Sequence, residues 1–369
     1  MSNTSQKTPL FDEHVKLGAR IVDFAGWMMP VQYEGLKEEH AHTRNEVGLF
    51  DVSHMGEIRV NGPKAVESLQ WLTTNDVTTL EKGQAHYSLL PNAQGGLVDD
   101  IFVYCIEKNA DYLVCVNASN KDKDFKWMTE NNKGADITDE SNIWGQIAIQ
   151  GPKALELCDA VFADGPSPIK VSEMGRNQIK VGKFKNHTIM IATTGYTGEK
   201  GCEVFIDTEG TPALWQALLA NPSVKAKAIG LGARDSLRTE MKFSLYGHEI
   251  DDTTNPYEAT LGWAIKPNAK DFLGKDVILK GKEGGLKRKL VGFKMLERGI
   301  PRQGYEIKKE NGEKIGVVTS GTHSPTLDEP IGIAYVETSF STEGSNFFVD
   351  IRGKLVKACV VKTPFVNKG

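Results

Sequence analysis

MGEIRVNGPKAVESLQW (Met55–Trp71) and IAIQGPKALE (Ile147–Glu156) are the two stretches of this sequence that indicate its fold. Each begins with a run of residues that is typical of a strand. Each then passes through Gly-Pro-Lys-Ala into an apolar-periodic segment, and a proline near the first helical position is preorganised for helix entry. The recurrence of this strand–GPKA–helix unit predicts a weak internal duplication, and hence two related α+β lobes.

Further helical and β-rich patterns flank these two units. In chain order they are a helix over Leu36–Val47, strands over Ile101–Cys105 and Tyr112–Val116, a helix that carries Phe125 and Trp127, and helices over Leu214–Leu219 and Ala233–Phe243. We expect Gly48 to end the first helix, and Asn117 or Ser119 to cap the helix that follows Val116.

The C-terminal part of the chain has a different texture. From about Lys289 onward, strand-like runs are separated by turn signals such as Asn311-Gly312 and Arg352-Gly353. The runs are Leu290–Phe293, Ile315–Thr319, Ile331–Val336 and Leu355–Val361. This pattern predicts a C-terminal all-β domain, preceded by a linker or exposed loop over Lys280–Lys289.

Composition restricts the class of protein. The 369 residues are 40% hydrophobic and 25% charged, which is ordinary for a globular protein of two or three domains. A formal net charge of -4 argues against a nucleic-acid partner, which requires a clustered basic excess. The five cysteines are far apart and form no C-x-x-C pair, which argues against a disulfide framework or structural zinc.

The sequence predicts neither a targeting segment nor a membrane partner. Its first residues, MSNTSQKTPLFDEH, contain no apolar run and are not rich in arginine. No stretch approaches the roughly 18 to 20 apolar residues of a membrane span. Together with the cysteine pattern, which fits a reducing compartment, this predicts a cytoplasmic protein.

The phrase GGLVDD (Gly95–Asp100) places two carboxylates after two glycines. Neighbouring residues on a strand point to opposite faces, so at most one of Asp99 and Asp100 faces a given pocket. The pattern alone favours a hairpin turn with two solvated acids. The alternative is one acid held in a cleft with a tuned pKa, as general acid or base catalysis requires.

Two glycine-punctuated segments are further candidates. TTGYTGEKGCE (Thr193–Glu203) is either a surface loop or a loop that carries an aromatic ring and a carboxylate to a ligand. GLGARD (Gly230–Asp235) nearly imitates a dinucleotide fingerprint, but an aspartate replaces the third glycine, so we interpret it as a helix start. Arg234 and Arg238 share one face of that helix, and one of them could clamp an anionic or carbonyl group.

The histidines do not predict a metal site. His40 and His42 are two residues apart in a charged helix, so their side chains diverge. His54 is interpreted as a core or turn histidine. Neither G-x-S-x-G nor G-x-x-x-x-G-K-[ST] occurs in the sequence, so these motifs predict no nucleophile elbow and no phosphate loop. From pattern alone, the chain is an α+β protein of several domains with a carboxylate-bearing cleft.

Taken in order, these phrases resemble the glycine cleavage T-protein family over nearly the whole chain. The phrases are TPLFDEHVKLGARIVDFAGWMMPVQY (Thr8–Tyr33), GLFDVSHMGEI (Gly48–Ile58), AHYSLLPNAQGGLVDDI (Ala85–Ile101), IQGPKA (Ile149–Ala154), TTGYTGEKGCEVF (Thr193–Phe205), GLGARDSLRTE (Gly230–Glu240), NPYEATLGW (Asn255–Trp263) and VTSGTHSPTL (Val318–Leu327). Any one phrase is weak, but the whole series in this order is specific.

The resemblance implies an α+β fold of three domains in a ring around a central folate channel, with a barrel-like, all-β C-terminal domain. It places a discontinuous first lobe at residues 1–52 and 140–245 and a second lobe at residues 53–139. The C-terminal segment, residues 246–369, is then mainly the barrel-like domain.

The resemblance also implies a reaction and its partners. An aminomethyl group arrives on the lipoyl arm of H-protein, its methylene carbon passes to tetrahydrofolate, and ammonia is released. The alternative is a folate-dependent demethylase of the same superfamily, although AGWMMP and DVSHMGE are typical of T-protein. A folate-binding scaffold without activity would be expected to lack the acid at Asp100.

Six residues of this sequence match functional positions of the family. Asp100 falls on the functional acid, which can orient the folate and stabilise positive charge near the transferred carbon. Glu203 falls on the glutamate that anchors the pterin, whose paired N–H edge a carboxylate can accept. Arg234 falls on an arginine that contacts folate. Tyr87, Asn117 and Tyr196 match other positions that line the folate pocket. No metal is implied.

Overall fold

The computed structural model describes residues 5–162 and 167–368, which form two compact units. The first unit contains the described residues up to Ser88 together with Asp100–Arg234. The second contains Leu89–Asp99 and the described residues from Asp235 onward. The domain boundaries implied by the family resemblance remain a prediction.

The helices of the described chain are short. They are α1 (Phe11–Lys16), α2 (Leu36–Asn45), α3 (Ala65–Leu72), α4 (Lys121–Glu130), α5 (Ala154–Phe162), α6 (Thr211–Leu219), α7 (Leu231–Glu240) and α8 (Lys275–Glu283). Within residues 5–162 and 167–368, none of them is both long and apolar enough to cross a membrane.

Two larger sheets and one small sheet organise the chain before the barrel. The small sheet has the order β1-β3-β2 and consists of β1 (Gln6–Lys7), β2 (Arg20–Phe24) and β3 (Trp27–Gln32). The six-stranded sheet consists of β4 (Val47–Asp51), β10 (Trp144–Gln150), β11 (Ile179–Phe184), β12 (His187–Ala192), β13 (Gly201–Asp207) and β14 (Ala226–Ala228). The five-stranded sheet consists of β5 (Gly56–Asn61), β6 (Ala85–Pro91), β7 (Leu97–Glu107), β8 (Asp111–Val116) and β9 (Asp136–Asp139). Their strand orders are β11-β12-β13-β10-β4-β14 and β6-β7-β8-β5-β9.

Both predicted strand–GPKA–helix units are present. The first connects β5 to α3, and the second connects β10 to α5. Gly62 and Gly151 begin the two connections with φ of 90° and 138°, a backbone region that favours glycine. A Cβ at Gly151 would lie 2.2 Å from the Glu46 carbonyl oxygen, so this turn also depends on close backbone approach.

The cores follow from the spacing of apolar residues. On α5, Ala154, Leu157, Cys158 and Phe162 recur at helical spacing and are buried against the six-stranded sheet. A second cluster joins Tyr104 and Cys115 of the five-stranded sheet to Met190 and Phe205 of the six-stranded sheet. Inward faces of both sheets therefore pack together inside the first unit.

The C-terminal strands form the predicted all-β domain. They are β15 (Arg288–Met295), β16 (Glu306–Lys308), β17 (Lys314–Ser324), β18 (Glu329–Glu337), β19 (Asn346–Ile351) and β20 (Lys354–Val361). They close into a barrel in the order β15-β18-β17-β16-β19-β20. The turn at Arg352-Gly353 has positive φ at both residues, 54° and 86°, as a tight hairpin turn requires. The α+β class with a C-terminal barrel is thus confirmed.

Three local predictions are wrong. Gly48 lies inside β4 rather than at the end of α2, and a Cβ there would meet the Thr43 hydroxyl at 2.5 Å, so the glycine serves close packing. Neither Asn117 nor Ser119 caps α4, whose N-cap is Asn120 without a side-chain cap bond. The predicted linker over Lys280–Lys289 is partly helical, because α8 extends to Glu283.

Candidate active site

The Asp100 carboxylate is held from two sides. The Tyr87 hydroxyl, from β6, donates to Asp100 Oδ2 at 3.0 Å. Asn117 Nδ2, directly after β8, donates to Asp100 Oδ1 at 2.8 Å and to its backbone oxygen at 3.2 Å. Asp100 is only partly buried. Two neutral donors therefore hold an accessible carboxylate, one at each of its oxygens.

Asp99 has the opposite environment. It lies inside β7, and its side chain is fully buried, with 0% exposure. The interpretation of GGLVDD as a hairpin turn with two solvated acids is wrong, because the strand already includes both aspartates and turns one of them inward. The alternation predicted for this pair is present, and Asp100 is the member that solvent can reach.

The two glycines before β7 place the strand. Gly95 has φ 86°, and the Asn92 side chain accepts from the Gln94 and Gly96 backbone N–H groups at 3.0 Å each. A Cβ at Gly96 would lie 1.8 Å from the Asp252 carbonyl oxygen, so this position admits only glycine without rearrangement. The turn therefore fixes where β7, and with it Asp100, begins.

An aromatic wall follows Asp100 along β7. Phe102 and Tyr104 alternate with buried residues and share the strand face of Asp100. Their rings stack with centroids 5.8 Å apart, and Phe102 meets the Tyr87 ring edge-on at 5.9 Å. The Tyr104 hydroxyl is 3.3 Å from the Thr194 hydroxyl. The wall thus connects the Asp100 carboxylate to the segment that precedes β13.

Glu203 lies beyond this wall on β13. The Thr194 hydroxyl donates to its carboxylate. Burial raises the pKa of the Glu203 carboxyl, while the Thr194 hydrogen bond and the Arg234 guanidinium oppose that rise. The carboxylate is therefore a half-buried acceptor with one neutral donor and one nearby cation.

Arg234 lies half-buried on α7, and one nitrogen of its guanidinium has no protein partner among the described residues. Its guanidinium carbon lies 4.8 Å from the centre of the Tyr196 ring, which supports a cation–π contact. Its Nη1 is buried and has no hydrogen-bond partner among the residues that the structure describes. Buried N–H groups are nearly always paired, so this donor indicates a place where a ligand supplies an acceptor.

The guanidinium of Arg238, four residues later, is hydrogen-bonded to other groups of the protein. It donates to Asp235 at 2.8 Å, to Glu249 at 2.9 Å and to the Ser320 hydroxyl at 2.7 Å. Of the two arginines that sequence reasoning left open, Arg234 is therefore the one available to a ligand.

Comparison with known proteins identifies the family. The model of the GCVT N-terminal domain matches residues 10–269, and that of the glycine cleavage T-protein C-terminal barrel domain matches residues 288–367. The chain belongs to the glycine cleavage T-protein family. The resemblance stated from sequence is confirmed.

Individual T-protein relatives match along their full length. An aminomethyltransferase of Bdellovibrio bacteriovorus is 69% identical over 98% of this chain and 100% of its own. One of Halothermothrix orenii is 46% identical, with the same coverage of both chains. The crystal structure of glycine cleavage system aminomethyltransferase T from Bartonella henselae is 34% identical, covers 98% of each chain and superposes with a TM-score of 0.91. This T-protein is thus an enzyme, an aminomethyltransferase of the glycine cleavage system.

The histidines and cysteines of this T-protein do not build a metal centre. His42 Nε2 lies 2.8 Å from the Lys225 carbonyl oxygen, and His40 is buried elsewhere on the helix. In the part of the chain that the structure describes, no group of His, Cys, Asp or Glu has metal-binding geometry. The five cysteines are free thiols, although Cys158 Sγ and Cys202 Sγ are 3.2 Å apart.

His54 is buried, which agrees with its interpretation as a core histidine. It is 3% exposed, and its Nδ1 has no partner within residues 5–162 and 167–368. Burial lowers the pKa of His54 to about 4, Asp51 opposes this, and Arg234 adds to it. The imidazole is therefore neutral at physiological pH.

Sequence reasoning missed Phe102, Tyr104 and Thr194, which join the predicted residues into one site. The signal for the two aromatic residues was available, because they follow Asp100 at alternate positions of one strand. No local signal identifies Thr194, since its role depends on contacts with β7 and β13.

Proposed function

We propose that this aminomethyltransferase moves the methylene carbon of an aminomethyl group from the lipoyl arm of H-protein to tetrahydrofolate, with release of ammonia. The products are methylenetetrahydrofolate and dihydrolipoyl H-protein. The observation that carries the proposal is the Asp100 carboxylate, held by Tyr87 and Asn117 at one end of the aromatic wall. The other end of that wall leads to the half-buried pair of Glu203 and Arg234.

The described residues fit a reduced pterin. Its ring presents a paired N–H edge, which the Glu203 carboxylate can accept bidentately. Arg234 Nη1, which lacks a protein partner among the described residues, can donate to a ring carbonyl or nitrogen. The Tyr196 ring supplies an apolar face beside these polar groups. Glu203, Arg234 and Tyr196 would therefore hold the pterin.

Asp100 would act at the step in which the methylene carbon leaves the aminomethyl-lipoyl group and bonds to tetrahydrofolate. Tetrahydrofolate supplies the nitrogen atoms that capture the carbon. The carboxylate can orient the N10 side of the folate by accepting its N–H, and can stabilise positive charge that develops near the carbon. Tyr87 and Asn117 each donate to one oxygen of the carboxylate, so the carboxylate would already be oriented before the substrate binds.

The test is a single-turnover assay with aminomethyl-loaded H-protein and tetrahydrofolate, following ammonia and methylenetetrahydrofolate. We expect one equivalent of each product per loaded H-protein. Without tetrahydrofolate, ammonia should be released more slowly than in the complete reaction. Turnover of methylated small molecules in place of loaded H-protein would instead support the demethylase alternative.

The proposed macromolecular partner of the enzyme is H-protein, and its proposed location is the cytoplasm. Free thiols fit a reducing compartment, and a net charge of -4 does not suit a nucleic-acid partner. Size-exclusion chromatography of a mixture with lipoylated H-protein tests the partner directly.

Removing the Tyr87 hydroxyl should slow the reaction moderately. Tyr87→Phe keeps the ring that meets Phe102 but deletes the donor to Asp100 Oδ2. Because a hydrogen bond to a charged group contributes about 1.5–3 kcal/mol, we expect the single-turnover rate to fall about tenfold or more. Tyr112→Phe is the matched control, since that hydroxyl accepts from the Asn109 backbone N–H outside the site. Equal losses in both variants would argue against a role for Tyr87 in holding Asp100.

A further inference from the structure

Glu57 is a buried acid that the proposed function does not use. It lies on β5 with 1% exposure. Neither of its carboxylate oxygens has a hydrogen-bond partner among the residues that the structure describes. A buried charge without a partner is so costly that the group neutralises instead.

Glu57 faces the same space as the candidate pterin residues. It is directly opposite Cys115 in the β5–β8 ladder, and directly opposite residues project from the same face. Cys115 belongs to the cluster that packs the five-stranded sheet against Phe205 of β13. Glu203, two residues before Phe205, shares the strand face of that residue. Glu57 and Glu203 therefore project into one layer between the two sheets of the first unit.

The charged groups around Glu57 do not stabilise its ionised form. Burial raises the pKa of the Glu57 carboxyl well above its ordinary value, and Asp139, Glu140 and Glu203 add to that rise. Lys121, at the start of α4, opposes it, but its Nζ lies over the Trp27 ring at 5.1 Å and makes no ion pair with Glu57 in the described chain. Two further titratable groups face this layer, the Cys115 thiol opposite Glu57 and the Tyr104 hydroxyl, and the pKa of Tyr104 is likewise raised by burial, then by Glu203 and, more weakly, by Glu57.

We propose that Glu57 is a positioning residue of the folate site. Glu57 stays protonated, and the negative charge of this layer therefore resides on Glu203, near Arg234. The inference rests on the proposed role of Glu203 in binding the pterin. Two ionised carboxylates in one low-dielectric layer raise each other's proton affinity. A neutral Glu57 keeps Glu203 ionised, and an ionised carboxylate is the form that accepts from both pterin N–H groups.

The first test needs no folate. In the unfolded chain Glu57 ionises above its ordinary pKa of 4.5, whereas in the folded chain it keeps its proton. The unfolded state then binds fewer protons, so wild-type stability falls relative to Glu57→Gln as pH rises above about 5, until folded Glu57 itself loses its proton. We expect the melting temperature of Glu57→Gln to exceed that of wild type by a margin that widens with pH.

Glu249→Gln is the matched control. Glu249 has 0% side-chain exposure, but it accepts from Arg238 Nη1 at 2.9 Å. Its amide variant should melt lower than wild type, because the buried guanidinium loses its counterion. A Glu57→Gln variant that melts below wild type at every pH, or above it by a constant margin, overturns the protonated state. An infrared difference spectrum at neutral pH, wild type minus Glu57→Gln, should contain the carbonyl stretch of a protonated carboxylic acid. Its absence overturns the protonated state as well.

The second test connects Glu57 to the ligand. Above the pH at which the melting margin stops widening, Glu57 ionises in the folded chain, so we expect the Kd of wild type for tetrahydrofolate to rise there by about tenfold or more and that of Glu57→Gln to rise less than about threefold. Identical pH profiles in the two proteins would overturn the positioning role, even if the melts support a protonated Glu57. No binding of tetrahydrofolate to wild type at any pH would reject the proposed function, while the melts and the infrared spectrum still decide the state of Glu57.

Discussion

Asp100→Asn is expected to lower the single-turnover rate of carbon transfer by about 10²–10⁴-fold, the range typical of a lost electrostatic or acid–base group. The affinity for tetrahydrofolate should change only a few-fold, because a group that acts mainly in the transition state contributes little to ground-state binding. The amide is nearly isosteric. Asn117 can still donate to its oxygen, and the Tyr87 hydroxyl can rotate to accept from its nitrogen. The change therefore removes the charge and leaves the local geometry in place.

The control for this variant should be an acid on the same strand that lies outside the site. Glu107 ends β7, is more than half exposed and pairs with Lys82, so Glu107→Gln should leave the rate within about twofold of wild type. Asp99→Asn is unsuitable as a control, because Asp99 is fully buried and its substitution tests folding. A folded Asp100→Asn enzyme with near-normal turnover would falsify the proposed role of the carboxylate.

Patterns that repeat or alternate locally were predictable from sequence. The two GPKA phrases identify strand–helix units because the glycine and proline requirements of that turn are local. The barrel strands were predictable for the same reason, since Val356, Ala358 and Val360 alternate with more exposed residues on β20. The spacing of apolar residues indicates which face of a helix or strand is buried. This holds even when the segment that packs against that face is unknown.

Features that depend on a distant partner were not predictable. Asn117 has the chemistry of a helix cap, but its amide instead binds Asp100, which is 17 residues away. Gly48 has the position of a helix stop, but its missing side chain makes room for Thr43 and Ile229. Each residue type permits two uses, and only the packing of separate segments selects one of them.

The arginines of α7 illustrate the same limit for the site. Sequence places Arg234 and Arg238 on one helical face and cannot separate them. The structure separates them by their partners, because Arg238 is saturated by Asp235, Glu249 and Ser320, whereas Arg234 Nη1 has none among the described residues. The family resemblance had selected Arg234 independently, and this donor gives that selection a physical reason.

Arg234→Ala is expected to weaken tetrahydrofolate binding by about tenfold to a hundredfold, equivalent to about 1.5–3 kcal/mol for hydrogen bonds to a charged group. The loss should be larger at acidic than at alkaline pH. Without the guanidinium, the pKa of the half-buried Glu203 carboxyl rises further, so a larger fraction of Glu203 is protonated and cannot accept from both pterin N–H groups. Titration calorimetry between about pH 6 and about pH 8 measures both effects.

Arg234→Lys should restore the wild-type pH dependence of tetrahydrofolate binding more fully than the wild-type affinity for tetrahydrofolate. Lysine restores a positive charge near Glu203, but it has neither the planar face that covers Tyr196 nor the fixed fork of donors that Nη1 completes. Arg59→Lys is the matched control, because Arg59 pairs with Asp111 at 2.6 Å and is not one of the candidate ligand-binding residues. It should leave the Kd for tetrahydrofolate within about twofold of wild type. If Arg234→Lys binds tetrahydrofolate as tightly as wild type, the guanidinium contributes only its charge, and the hydrogen bond assigned to Nη1 has to be abandoned.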